Sequence, residues 1–285
     1  MDHLLREKAP ISDAGWVEIE QEATRTLRHY LAARKMLDYS CDDDWTRSAT
    51  PLGRVKTVNS GNPAVELNSR VVLPLTEIRV QFQISRKELE ALDRGATDFD
   101  TGPVIEAARA AALAEDQAVF GGNPELGITG VASGSSQPTV TFDADFSNFP
   151  DAVAKAIDEL SHEGIEGPYA IAMGPEVWTG VMESSEGGGY PLIKHLRLLV
   201  DGPVVWAPAI DGAVLVSQRG GDFEISGGQD WSIGYLNHDH ENITLYLVGA
   251  GVTNPAVAAG TIASGTPTLA NATVRFGDAP ATVTY

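Results

Sequence analysis

The chain has little cysteine, little lysine and no long apolar run, and each shortage excludes a class of protein. Cys41 is the single cysteine among 285 residues, so no intrachain disulfide can form, which agrees with a reducing compartment. No apolar run reaches the roughly 18 residues that a membrane-spanning helix needs. Residues 1–8 are largely charged and lack the apolar core of a secretory signal. We therefore expect a cytoplasmic protein.

Positive charge is also scarce. The net charge is −19, from 39 acidic and 20 basic residues, and only 6 of the basic residues are lysines. Such a surface disfavours nucleic acid and anionic lipid, because affinity for both comes largely from neutralising phosphates. Two interpretations of the acidity stay open: an ordinary acidic cytosolic protein, or one from a salt-loving organism whose lysine-poor surface stays hydrated in strong salt. No nucleic-acid or membrane partner is expected.

Motifs that carry chemistry are missing as well. The sequence has no Gly-x-Ser-x-Gly elbow, no phosphate-binding loop and no dinucleotide fingerprint. Carboxylate pairs such as Glu115–Asp116 and Asp42–Asp44 are expected by chance in so acidic a chain. The segment His238–Glu241 is the best metal candidate, and a metal-dependent hydrolase using His238 and His240 is a remote alternative. We predict no catalytic residues, no bound metal, no cofactor and no enzymatic activity.

The first part of the chain reads as helices around a long hairpin. Apolar residues at steps of three and four predict an amphipathic helix over residues 12–35, with helices following at 86–93 and 103–120. Residues 53–85 alternate like strands, with a turn at 59–63. Such an arm could reach onto another subunit.

From residue 147 the pattern changes to alternating helix and strand, which reads as an insertion into a first α+β subdomain. The predicted helices span 150–163, 175–183 and 191–199, and the predicted strands span 168–173, 203–208 and 212–218. Residues 219–235 then predict two strands joined by a turn at Gly227-Gly228, with Trp231, Ile233 and Tyr235 on one face. No nucleophile–base pair or ligand cluster accompanies this apolar face. We therefore expect it to be covered by other residues and not to carry out chemistry.

The segment 219–235 also closely resembles encapsulins, the shell proteins that share the tailed-phage capsid fold. Further blocks that resemble the family follow in the same order along the chain: Ala9–Ile11, Ala33–Asp38, Leu73–Arg79, Glu88–Gly95, Phe120–Gly122, Gly164–Tyr169, Tyr190–Leu192 and Trp206–Ile210. Each block is modestly specific, and their order and spacing make the combination strong.

The resemblance implies an α+β chain with the tailed-bacteriophage major capsid protein fold. It divides the chain as follows: 1–44 N-terminal arm and helix; 45–75 extended hairpin loop; 76–130 and 219–247 peripheral domain; 131–218 axial domain; 248–285 an extra C-terminal strand segment. In that last segment, 268–276 and 281–285 alternate like strands, and we expect them to add strand structure on the shell surface.

The resemblance further implies that copies of the chain assemble with one another into an icosahedral shell of about sixty copies or a multiple. The shell would enclose a cargo protein, of the ferritin-like iron-storage or dye-decolourising peroxidase type, recruited by a short terminal peptide. The major capsid protein of a provirus is the alternative. That alternative predicts packaged nucleic acid and clustered basic residues, whereas the 20 basic residues here are dispersed.

Two sites are carried over from the family by position. The cargo-peptide site comprises Leu27, Leu31, Arg34, Met36, Asp38, Trp231, Ile233 and Tyr235. The pore loop, expected at the five-fold axis, comprises Glu183, Ser184, Ser185, Glu186, Gly187, Gly188, Gly189 and Tyr190. An extended peptide docks where alternate apolar pockets meet a few polar anchors, and these residue types suit that task.

Overall fold

The computed structural model describes residues 3–135, 139–142, 146–185, 188–252 and 271–276, which form both helices and strands. The helices are α1 Asp13–Tyr30, α2 Arg86–Asp93, α3 Gly102–Gly121, α4 Val131–Gly134, α5 Phe149–His162, α6 Pro175–Glu183 and α7 Leu192–Val200. The strands are β1 Asp38–Cys41, β2 Ala49–Val58, β3 Leu67–Pro74, β4 Thr76–Ser85, β5 Val140–Phe142, β6 Tyr169–Met173, β7 Val204–Trp206, β8 Ala213–Ser217, β9 Glu224–Gly227, β10 Gln229–His238, β11 Asn242–Val252 and β12 Asn271–Phe276.

One half of the fold is a three-stranded antiparallel sheet covered by two helices. The strand order is β10-β11-β4, and α1 and α3 pack together over one face. The apolar stripe of α1, which includes Trp16, Ile19 and Ala23, meets Phe82, Ile84 and the inward side chains of β11 there. This packing builds one buried core, because the helix period and the strand period turn their apolar residues toward each other.

The second half is a five-stranded sheet of order β5-β12-β8-β6-β7. Helices α5, α6 and α7 cover one face, around a core that contains Phe149, Leu160, Met173 and Leu196. The C-terminal end of α3 packs on the other face through Val119 and Phe120. Both faces are therefore buried, in agreement with the fully buried strands β6 and β8.

The helix predicted over 12–35 is shorter in the structure. It begins after Ser12, whose hydroxyl accepts a hydrogen bond from the amide of Gly15 at 3.1 Å, and it ends at Tyr30. Residues 33–35 form a separate 3₁₀ turn. The break follows from tertiary structure, because a carboxylate on α3 accepts the backbone amides of residues 32 and 33.

The two strands predicted within 219–235 form as β9 and β10, but they do not pair with each other across Gly227-Gly228. Strand β9 pairs in parallel with β1, whereas β10 pairs with β11, so the two strands belong to different sheets. Neither glycine has a positive φ. A Cβ on Gly227 would lie 3.2 Å from Cys41 Sγ, and one on Gly228 would lie 3.1 Å from the Asp44 carbonyl oxygen, so these glycines allow close packing.

The C-terminal segment contributes one described strand. It forms within the predicted range 268–276, over Asn271–Phe276. It lies inside the five-stranded sheet, parallel to β5 and antiparallel to β8. The strand predicted at 281–285 lies outside the described residues. The described strand β12 thus shares a sheet with residues from the 131–218 insertion.

Candidate functional site

Four of the eight predicted groove residues are core residues. Leu27, Leu31 and Ile233 are 8%, 7% and 5% exposed and belong to the same core, between α1, α3 and the three-stranded sheet. Met36 is buried too, but in the core that joins α3 to the five-stranded sheet. These side chains pack inside the subunit and contribute to its cores.

Trp231 and Tyr235 are half-buried at the edge of that first core. The indole ring of Trp231 lies flat against Gly249, where a Cβ would approach the ring to about 2.9 Å, and its Nε1 donates to Glu115 at 2.9 Å. The hydroxyl of Tyr235 is 2.5 Å from Nδ1 of His238. Both rings keep part of their surface accessible.

Arg34 lies at the centre of a charged network. Its guanidinium pairs with both carboxylate oxygens of Glu115, at 2.6 and 2.8 Å, and with Asp230 at 2.7 Å. It also stacks over the Tyr39 ring, 4.3 Å from the centroid. Burial opposes the charge of Arg34, but the two carboxylates outweigh it and raise the pKa, so the side chain stays ionised. A peptide would therefore meet an arginine whose position is already fixed.

The carboxyl groups of Asp230 and Asp116, both near Arg34 in the fold, have pKa values shifted in opposite directions. Burial tends to raise the pKa of Asp230, but the hydrogen bond and charge of Arg34 lower it below the ordinary value. Asp116, the next residue after Glu115, is fully buried and accepts the amides of Ala32 and Ala33 at 2.8 and 3.1 Å. Burial outweighs these hydrogen bonds and raises its pKa to about 7. This pair of acids on α3 fixes the turn after α1.

A cavity of about 260 Å³ lies on the other side of Arg34. Arg34, Met36 and Asp38 line one wall, and the loop that contains Gln218 and Phe223 lines the other. Asp38 is exposed and accepts the amide of Gly221 at 2.9 Å, while Gln218 donates to the Met36 carbonyl at 3.2 Å. The structure thus brings Arg34, Met36 and Asp38 together at this cavity. The remaining predicted residues lie on the α1 and β10 side of Arg34.

The pore-loop residues connect α6 to α7. Glu183 is exposed at the end of α6, and Ser185 forms an isolated antiparallel bridge with Pro191 that closes the loop. Gly189 has a φ of +77°, and Tyr190 is 43% exposed. Ser184 and Gly188 lie in the same loop, whereas Glu186 and Gly187 lie outside the described residues.

The segment that carries His238 and His240 forms a turn. Asp239 Oδ1 accepts the amides of Glu241 and Asn242, both at 2.7 Å, and these bonds lower the pKa of its carboxyl group. His238 is already in contact with Tyr235. Over the described part of the chain, no three His, Cys, Asp or Glu side chains are placed to share a metal ion. The hydrolase alternative therefore has no geometric support.

An arm projects from the fold between residues 49 and 74. Strands β2 and β3 form a two-stranded antiparallel sheet, and none of their residues joins the three apolar cores. Five aliphatic side chains on the arm are 45–55% exposed: Val55, Val58, Val65, Leu67 and Val72. No apolar core of the described residues covers this arm, and an isolated two-stranded ribbon is only marginally stable in water. None of the described helices is long and apolar enough to cross a membrane.

Comparisons of the sequence with known proteins identify relatives of this chain. Residues 1–250 match the family model described as "Encapsulating protein for peroxidase". The chain is 46% identical over 253 residues to the type 1 encapsulin shell protein of Rhodospirillum rubrum, covering 87% of this chain and 90% of that one. It is 42% identical over 247 residues to the same protein of Rhodococcus erythropolis, covering 87% and 93%.

The fold has its own match among solved structures. The virus-like particle of Pyrococcus furiosus superposes with a TM-score of 0.62 at 12% identity, covering 91% of this chain and 99% of that one. At so low an identity the match concerns the fold alone, which is the α+β capsid fold. The family match and the two relatives go further, and the chain belongs to the family of encapsulin shell proteins.

Proposed function

We propose that this chain is the subunit of a closed icosahedral shell of about sixty copies, or a multiple, in the cytoplasm. The uncovered arm carries this proposal, because it exposes aliphatic side chains that a neighbouring subunit would bury. In this proposal the three-stranded unit forms the peripheral domain. The five-stranded unit, including β12, forms the axial domain. Such a shell encloses other proteins, and its subunit catalyses no reaction.

Light scattering on the purified protein tests the shell. A particle of megadalton mass is expected, and a small oligomer would contradict the proposal. The ratio of absorbance at 260 and 280 nm on the same particle tests the alternative of a capsid. A protein-like ratio is expected, because the acidic subunit would repel packaged nucleic acid.

We propose that a cargo protein, of the ferritin-like or dye-decolourising peroxidase type, docks through a short terminal peptide beside Arg34. Three features support this: the half-buried rings of Trp231 and Tyr235, the fixed guanidinium of Arg34, and the adjoining cavity with Asp38. Together they combine apolar surface with polar anchors, as docking of an extended peptide requires.

Co-expression with a cargo protein that carries such a peptide tests the site. Leu31→Asp is a poor probe, because Leu31 is buried and the new charge would unfold the subunit before any docking was measured. Tyr235→Ala and Asp38→Ala alter accessible groups instead. Shells of normal mass with several-fold less cargo are expected, and Glu18→Ala, on the exposed face of α1, serves as the control. Full cargo loading in both site variants would exclude this site.

We propose that the loop between α6 and α7 borders a pore at a symmetry axis. The exposed carboxylate of Glu183 supports this, since several copies around an axis would form a ring that favours cations. Replacing Glu183 and Glu186 by Gln should slow the uptake of metal cations into the shell. Glu176, in the first turn of α6, provides a matched Gln variant that should leave uptake unchanged. Equal uptake in all three proteins would contradict the pore.

A further inference from the structure

The arm differs in charge from the rest of the chain. Between residues 49 and 74 it carries the cations Arg54, Lys56 and Arg70 and one acid, Glu66, whereas the whole chain carries 39 acids against 20 bases. All three cations are exposed, and none forms an ion pair with another described residue. The arm is thus a net-positive element on a strongly negative subunit, and no ion pair among the described residues accounts for its charge.

Both faces of the arm combine cations with aliphatic side chains. Residues opposite each other across the two strands share a face, and Arg54 is opposite Val71 while Val58 is opposite Leu67. Lys56 lies on that same face, because side chains two apart point the same way. The other face holds Arg70 opposite Val55. Each face therefore suits a partner surface that offers both apolar contact and carboxylates.

We propose that the arm binds an acidic surface of a second copy of this chain, with Arg54, Lys56 and Arg70 supplying the attraction. This inference rests on the proposed shell and specifies which side chains attract the arm of one subunit to the surface of the next. Outside the arm the chain carries 38 acids (39 less Glu66) against 17 bases (20 less three), so a neighbour offers the complementary charge. The arm would also offset part of the repulsion between subunits of net charge −19. Nucleic acid fits less well, because the rest of the subunit would repel its phosphates.

The triple variant R54E/K56E/R70E tests the proposal through the salt dependence of assembly. Particle mass is measured by light scattering at about 0.1 M and about 1 M salt, where charges act over about 10 Å and about 3 Å. We expect wild-type shells at both concentrations. The variant should give small oligomers at the lower concentration and recover shells at the higher one, since salt screens the new repulsion. Circular dichroism on the variant confirms that the subunit is folded.

A second triple variant, R28E/K87E/K155E, makes the same change in net charge at exposed positions outside the arm. It should assemble at both salt concentrations. The proposal is overturned if this control fails in the same way, if the arm variant assembles like wild type at low salt, or if high salt does not rescue it. Co-purified nucleic acid that is lost from shells of the arm variant would also overturn it. Wild-type protein that forms no shell would instead overturn the proposed function itself.

Discussion

Arg34 is the residue at which three parts of the chain meet. It follows α1, pairs with Glu115 on α3, and pairs with Asp230 on β10. The Glu115 side chain is 1% exposed and also accepts from Trp231, so its two oxygens satisfy three donor groups. A buried ion pair adds little net stability compared with an apolar pair, but losing one partner leaves the other charge without compensation.

We expect Glu115→Gln to destabilise the subunit by about 3 kcal/mol. In either orientation the amide group would turn its N–H₂ toward an N–H of Arg34, so one donor would face another. Thermal denaturation should show a lower midpoint. Glu18→Gln, on the exposed face of α1, removes the same charge without a buried partner and should leave the midpoint unchanged.

Asp116 should make stability depend on pH. Its pKa is about 7 in the folded chain, against an ordinary value of 3.8. Between these values the folded state holds a proton that the unfolded state has released, so its contribution to stability falls as the pH rises from about 4 to 7. The shift corresponds to at most about 4 kcal/mol.

Chemical denaturation of wild type and Asp116→Asn across this range measures the effect. The stability difference between them should shift in favour of the Asn variant as the pH rises, because Asn does not titrate. A difference that stays constant with pH would show that Asp116 is ionised throughout.

At the scale of elements, α3 ends where the backbone must turn tightly. Gly122 has a φ of +85°, and a Cβ there would lie 2.6 Å from the amide nitrogen of Gly130. We therefore expect Gly122→Ala to cost more than about 2 kcal/mol, from left-handed strain and a clash with backbone atoms.

The neighbouring glycine gives a matched control for that prediction. Gly121 is helical, and a Cβ there would meet no atom within 4 Å. Gly121→Ala should be neutral or stabilise by about 0.5 kcal/mol. Thermal midpoints of the two variants measure the contrast, and equal midpoints would refute the account of the turn.

At the scale of the whole molecule, the arm is separable from the cores. None of its residues contributes to the three apolar clusters, so deleting 54–72 should leave the subunit folded. The deletion should nevertheless reduce the particle from a shell to small oligomers, which light scattering or negative-stain microscopy would show. Intact shells from this variant would mean that the arm does not hold the subunits together.

The sequence by itself determined those elements whose signals are local. The start of α1 after residue 12, its apolar residues at steps of three and four, and the helix at 175–183 all follow from local spacing, and the structure confirms them. The family and the α+β capsid fold also followed from residue blocks alone, and the family match and the fold comparison confirm them.

Tertiary structure decided the features that depend on contacts between distant residues. Helix α1 stops at Tyr30 because Asp116, more than eighty positions later, accepts the amides of the next turn. Strand β9 pairs with β1 and not with β10. Strand β12 pairs with β5 and β8, in a sheet whose other strands come from the 131–218 insertion. Spacing along a chain cannot show these pairings. For the same reason, only the structure separated the buried Leu31 and Ile233 from the accessible rings and charges beside Arg34.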